Sequence, residues 1–71
     1  MSDIKVGSIV FHKRSAEHGG FIGPGVVQMI EHYDIVDTDC YHVFWQSSNE
    51  IFEHFRSSLM TLAERNQNDN S

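Results

Sequence analysis

The fold class expected from this chain is all-β, a small five-stranded barrel. Three observations carry that expectation. Five short runs rich in β-branched and aromatic residues recur along 71 residues. One segment, residues 13–25, holds four of the five Gly and the only Pro. A short polar turn, Arg56-Ser57-Ser58, precedes the last run. So short a chain makes at most one domain. Several short strands with regular turn signals close most simply into a small barrel.

The runs take the chain in order. Residues 1–5 lead in. Val6 to His12 reads as the first strand, started by a turn at Gly7. Ile9 and Phe11 share one of its faces, and Val10 and His12 the other. Residues 13–25 form a long first loop, and their Gly density permits positive φ angles. Long loops of this kind often carry function. Phe21 and Ile22 within it can fold back on the core or face a partner. Val26 to Glu31 is the second strand, with Val26, Gln28 and Ile30 on one face and Val27, Met29 and Glu31 on the other. His32 to Asp39 reads as a polar, acidic hairpin loop.

Cys40 to Trp45 is the third strand and Ile51 to Phe55 the fourth, joined by the turn at 46–50. Tyr41, Val43 and Trp45 share a face opposite to Cys40, His42 and Phe44. Ile51, Glu53 and Phe55 lie opposite to Phe52 and His54. Arg56-Ser57-Ser58 suits one 3₁₀ turn, and Leu59 to Leu62 gives a short closing strand. Residues 63–71 are polar and predict a disordered tail, because they cannot bury enough apolar surface to order themselves.

Charge and composition narrow the function classes. Ten acids against five bases give a formal charge of −5. Nucleic-acid binding draws on clustered Lys and Arg, and Lys13-Arg14 is the only adjacent basic pair. Nucleic acid is therefore the disfavoured partner. The single Cys40 forms no intrachain disulfide and fits a reducing compartment. No apolar run approaches the roughly 18 residues that span a bilayer. The first residues lack the features of a signal peptide. A cytoplasmic protein with no membrane segment is expected.

The residues that bear chemistry are thin. Five His and Cys40 raise zinc, with Cys40 and His42 at i and i+2 and His54 on the next strand. Structural zinc needs four ligands, usually in close pairs. The chain shows one such pair, so no metal or cofactor is expected. Side chains at i and i+2 on a strand stand about 6.5–7 Å apart, too far for a Cys40–His42 nucleophile and base, which must approach within about 3 Å. Asp34, Asp37 and Asp39 lack the spacing of a calcium loop. No catalytic residue is assigned, and a non-enzymatic protein is expected.

The aromatics remain. Tyr41, Trp45, Phe52 and Phe55 sit on adjacent strands and either build the core or line a recognition groove. Tyr41, Trp45 and Phe52, with Phe21 from the loop, are the candidate partner-binding aromatics. Lys13 and Arg14 are the candidate basic contacts. The acids between Glu31 and Asp39, with Glu50, favour a basic protein partner.

Lys5-Val6-Gly7-Ser8-Ile9-Val10-Phe11-His12-Lys13, Gly23-Pro24-Gly25-Val26-Val27, Tyr41-His42-Val43-Phe44-Trp45 and His54-Phe55-Arg56-Ser57-Ser58-Leu59 together resemble SH3-like (Tudor-like) barrels, most nearly short proteins of tailed bacteriophages. Those open on Lys-Val-Gly-Asp-x-Val, continue with a Tyr-x-Val-x-Trp strand and close on His-Pro-x-x-x-Leu. This chain departs at Ser8, at Phe55 and in the turn Gln46-Ser47-Ser48-Asn49. The resemblance implies an SH3-like barrel over residues 1–62, a tail over 63–71 and, if viral, a place in the host cytoplasm. A smaller resemblance, on Val10-Phe11-His12 and Gly25-Val26-Val27, is to the polymerase-binding barrel of the CarD and transcription-repair coupling factor families. The expected function is a non-enzymatic protein-interaction module that binds a host or viral protein through an aromatic groove or a strand edge. The alternatives are a nucleic-acid-binding domain and a self-assembling structural protein.

Overall fold

A computed structural model of the chain describes residues 4–14 and 21–69. Within them lie five strands, β1 (Ile9–His12), β2 (Gly25–Tyr33), β3 (Thr38–Trp45), β4 (Glu50–Phe55) and β5 (Leu59–Thr61), and one helix, α1 (Leu62–Asp69). A 3₁₀ turn, Arg56–Ser58, joins β4 to β5. The strands form one antiparallel sheet in the order β4-β3-β2-β1-β5. The all-β expectation therefore holds for class and strand number.

The closed barrel does not. β4 and β5 are the two ends of the sheet and do not pair with each other. The sheet curls without closing. His12 on β1 and His54 on β4 bring their ring centroids to 5.1 Å although two strands lie between them in the sheet. The physical reason is β5, which has only three residues before the chain turns into a helix.

The first turn shows why Gly7 is glycine. Its φ is +91°, a region that costs other residues energy. That turn lets Gly7 N–H donate to the Val27 carbonyl at 2.8 Å, while Val27 N–H donates to the Ser8 carbonyl at 3.0 Å. Regular β1 pairing then begins at Ile9, opposite Val26. The start of the chain also contributes to the core through Ile4, which is fully buried.

β2 departs from simple alternation. Val27 pairs with Val43, but the next pair is Met29 with His42, so Gln28 is the extra residue of a β-bulge. A bulge moves everything beyond it by one position relative to the pleat. Val27 and Ile30 therefore share the core face, and Val26, Met29 and Glu31 the outer face. The expected grouping of Val26 with Ile30, and of Val27 with Met29, is corrected accordingly.

Inside the curl, Ile4, Val10, Val27, Tyr41, Val43, Trp45 and Leu59 form the core, with Phe21, Ile30 and Phe52 packed against it. Val10 and His12 are the inward residues of β1.

The segment 63–71, expected to be a disordered tail, is helical as far as Asp69. The helix begins with a capping box. Glu64 N–H donates to Thr61 Oγ1 at 3.1 Å, and Thr61 N–H donates to Glu64 Oε1 at 2.9 Å. Such reciprocal bonds satisfy two backbone or side-chain groups left open at a helix start. Arg56 clamps the same carboxylate at 2.8 Å and the Leu59 carbonyl at 2.8 Å. Together the Thr61 N–H and the Arg56 guanidinium hold the Glu64 carboxyl below its ordinary range. Arg65 lies 4.4 Å over the Phe11 ring, so the helix also covers the outer side of β1. A polar sequence orders here because its end is tied down rather than because it buries a core.

Residues 15–20 lie outside the described residues, and with them the Gly19-Gly20 part of the expected long loop. No helix among the described residues is long and apolar enough to cross a membrane.

Candidate functional site

The hairpin of β3 and β4 is set by its turn. Trp45 pairs with Glu50, and Asn49, at φ +58°, donates its N–H to the Trp45 carbonyl at 2.8 Å. Asn tolerates this left-handed conformation better than most residues. The register that follows decides which side chains meet. Tyr41 lies beside His54, Val43 beside Phe52, His42 beside Glu53, and Phe44 beside Ile51. The first two pairs face the core, and the last two face outward.

The sequence-predicted residues therefore divide. Tyr41 and Trp45 are 2% and 0% exposed, so neither lines a surface groove. Phe21 and Phe52 are half-buried and meet edge to face at 5.1 Å. Phe21 lies 5.4 Å from the Trp45 ring and stacks on His12 at 4.8 Å. The structure thus brings Phe21, Trp45 and Phe52 together, as interior packing. Lys13 and Arg14 are exposed elsewhere, on a cleft they line with His12, Ser57 and Ser58. Arg14 N–H donates to His12 Nδ1 at 3.0 Å.

His54 is a polar member of the interior, beside the buried His12. Trp45 Nε1–H donates to His54 Nε2 at 3.0 Å, and Trp45, Phe21 and His12 surround its ring within 5.5 Å. Burial, reinforced by the neighbouring His12, pushes its pKa down to about 4. The proton then prefers the unfolded chain, where the pKa is near 6.5. Stability from this group is full above pH 6.5 and falls as the pH drops towards 4. Solvent reaches part of the ring, which reduces the full equivalent of the shift. We expect a loss of about 2 kcal/mol across that window. Urea midpoints followed by Trp45 fluorescence at pH 7 and pH 4.5 should show this loss in wild type and a much smaller one in His54→Gln. His32, whose pKa its bond to Asp39 raises, and the lowered Glu64 titrate alike in both proteins.

The outer face carries the features the sequence reading missed. Ile9, Val26, Phe44 and Ile51 are cross-strand neighbours on β1, β2, β3 and β4. They make one apolar row across the sheet. Ile9 and Ile51 are 43% and 55% exposed, and Met29 beside the row is 46% exposed, while Phe55, 50% exposed, lies beyond the His42–Glu53 pair. Strand alternation together with register would have revealed this row. The bulge that places Met29 and Glu31 on the face of Val26 rather than of Val27 left no mark in the sequence.

Next to the row lies a polar cluster. His42 Nε2 is 2.6 Å from Glu31 Oε1 and 3.8 Å from Glu53 Oε1. Glu53 Oε1 also accepts from Cys40 Sγ at 3.4 Å and from the Tyr33 hydroxyl at 3.3 Å. Burial and the Glu53 carboxylate push the Cys40 thiol up. Burial and the bond with Cys40 push Tyr33 up to about 12. Cys40 is therefore a protonated thiol at neutral pH, which is a poor nucleophile. His54, which the sequence groups with Cys40 and His42 as conceivable zinc donors, stands on the opposite face of β4, and Glu53 is the β4 residue beside them. At the β2–β3 turn, His32 gathers Asp39 at 2.7 Å, Asp34 at 3.4 Å and Asp37 at 3.5 Å.

No protein-family model, curated protein or solved structure matches this chain.

Proposed function

We propose that the chain is a non-enzymatic protein-interaction module, and that its contact surface is the outer face of the sheet rather than an aromatic groove. The observation that carries this reading is the apolar row Ile9–Val26–Phe44–Ile51, widened by Met29. Contiguous exposed apolar surface of this kind marks interaction sites. The occupant we assign is a partner segment with apolar side chains flanked by Lys or Arg. Glu31 and Glu53 lie on the same outer face as the row, and the chain's charge is −5. Opposite charge at the rim of an apolar patch speeds encounter and selects against acidic partners. We keep the SH3-like relation as part of this proposal, beside a five-stranded antiparallel sheet that carries a 3₁₀ turn before β5.

An amphipathic peptide with alternating Leu and Lys tests the assignment by NMR. Binding should shift the Ile9, Met29, Phe44 and Ile51 resonances, weaken with salt and be lost in Ile51→Asp. The same peptide with Glu in place of Lys should bind at least tenfold more weakly. Equal binding of both peptides, or shifts confined to the core side, would overturn the charge-matched surface. Self-association that broadens the same resonances without any peptide would make a second copy the occupant instead. Salt-sensitive binding of short DNA or RNA at the Lys13–Arg14 cleft, with no peptide binding, would replace this reading by nucleic-acid recognition.

A further inference from the structure

We propose that Glu31, Cys40, His42 and Glu53, brought together on the outer face of β2, β3 and β4, form a binding site for a zinc-class divalent metal ion. The site adjoins the docking surface and shares Glu31 and Glu53 with its acidic side, but it does not depend on that surface binding a partner. It rests on donor chemistry and on spacing.

The four residues come from three adjacent strands, and pairing places them as neighbours. Glu31 is opposite Cys40, and His42 is opposite Glu53. One donor atom each from Cys40, His42 and Glu53 lies within 4.8 Å of the other two. Zinc bound at 2.0–2.3 Å in a tetrahedron separates its ligand atoms by about 3.3–3.7 Å. Cys40 Sγ and Glu53 Oε1 stand 3.4 Å apart, and His42 Nε2 and Glu53 Oε1 3.8 Å apart. The first falls within that range and the second just above it, so a small closing of His42 towards Glu53 brings both to tetrahedral edges. Glu31 Oε1 lies 2.6 Å from His42 Nε2 but stands outside the three-donor set, so its side chain has to turn towards Cys40 and Glu53 to become the fourth ligand.

The donor set selects the metal. One thiol, one imidazole and two carboxylates suit a borderline ion such as zinc or cobalt rather than calcium or magnesium, which take oxygen alone. Binding balances without a redox partner. Cys40 releases its proton and ligates as thiolate, His42 ligates as neutral imidazole, and each Glu binds as carboxylate. The Tyr33 hydroxyl, which donates to Glu53 at 3.3 Å, orients that carboxylate as outer partners of metal ligands commonly do. Paired strands supply the backbone, so little has to be ordered on binding.

Cobalt(II) is the first probe, used with the full chain under reducing conditions. One equivalent should give a thiolate-to-cobalt charge-transfer band and the intense visible bands of tetrahedral cobalt, and zinc should displace both. Cys40→Ser should lose the charge-transfer band. His42→Ala and Glu53→Gln should weaken binding at least tenfold, with each fold checked by circular dichroism. His32→Asn, in the separate acidic turn, should bind as wild type. Absence of the charge-transfer band in wild type would overturn the site, and that readout requires no variant to fold. Undiminished binding in Cys40→Ser together with loss in His32→Asn would also overturn it, by moving the metal to the turn.

Discussion

Trp45→Ala should unfold most of the protein. Trp45 is fully buried at the centre of the core and touches Phe21, His54 and His12. Truncating a buried Trp costs about 3–5 kcal/mol in lost transfer energy and unfilled volume. A domain of this size has a total stability of roughly 4–10 kcal/mol, so little margin remains. The change also removes the Nε1–H that donates to His54 Nε2, leaving a half-buried acceptor without its partner. Loss of amide-proton dispersion in NMR, or a collapsed urea midpoint, reports the effect. Trp45→Phe should lie between, because it keeps aromatic contact with Phe21 and loses only the hydrogen bond and part of the volume. A well-folded Trp45→Ala protein that had lost only partner binding would contradict the interior placement and return Trp45 to the role of a surface anchor.

Gly25→Ala should cost nearly as much, towards the upper end of the 1–3 kcal/mol typical of overpacking. A Cβ at this position would stand 2.5 Å from Val43 Cγ1 and 2.7 Å and 2.8 Å from two atoms of the Trp45 ring. Gly25 pairs directly with Trp45 across β2 and β3, so the indole lies over the glycine and leaves no room. The constraint is space rather than backbone conformation. Gly23 provides the contrast. Nothing lies within 4 Å of its would-be Cβ, but its φ is +80°, so Gly23→Ala should cost about 1 kcal/mol through strain alone. Urea melts of the two variants should separate them, and only Gly25→Ala should alter the Trp45 emission of the folded state. Equal costs with unchanged emission would mean that the ring does not pack on Gly25.

Both expectations concern the hairpin that dominates the sequence, and the structure assigns its two faces to different work. The inner face, Tyr41, Val43, Trp45, Phe52 and His54, closes the core. The outer face, Cys40, His42, Phe44, Ile51, Glu53 and Phe55, carries both the apolar row and the donor cluster. The aromatics proposed for recognition from sequence are largely the ones that the small core consumes. What reaches the surface is the second set along the same strands.

Much of this was legible from residues alone. β-branched and aromatic runs located all five strands, and period-two alternation correctly separated Tyr41, Val43 and Trp45 from Cys40, His42 and Phe44. These are local properties, set by propensity and by the pleat. Even the helix left a local mark, Thr61-x-x-Glu64, a capping-box signature. Its polarity argued for disorder, and the Arg56 clamp that holds it comes from beyond the helix. Three matters were decided only by the tertiary structure. Alternation says which side chains share a face, but only the curl of the whole sheet determines which face becomes the core. Gln28 bulges just past Val27, where the pairing of β2 with β1 and the Gly7–Ser8 turn ends and that with β3 continues, and that shift sends Glu31 to the outer face. Cys40 and His42 meet Glu31 and Glu53 through the registers of two separate strand pairs. Register is a relation between strands distant in sequence, so no run of residues within one of them contains it.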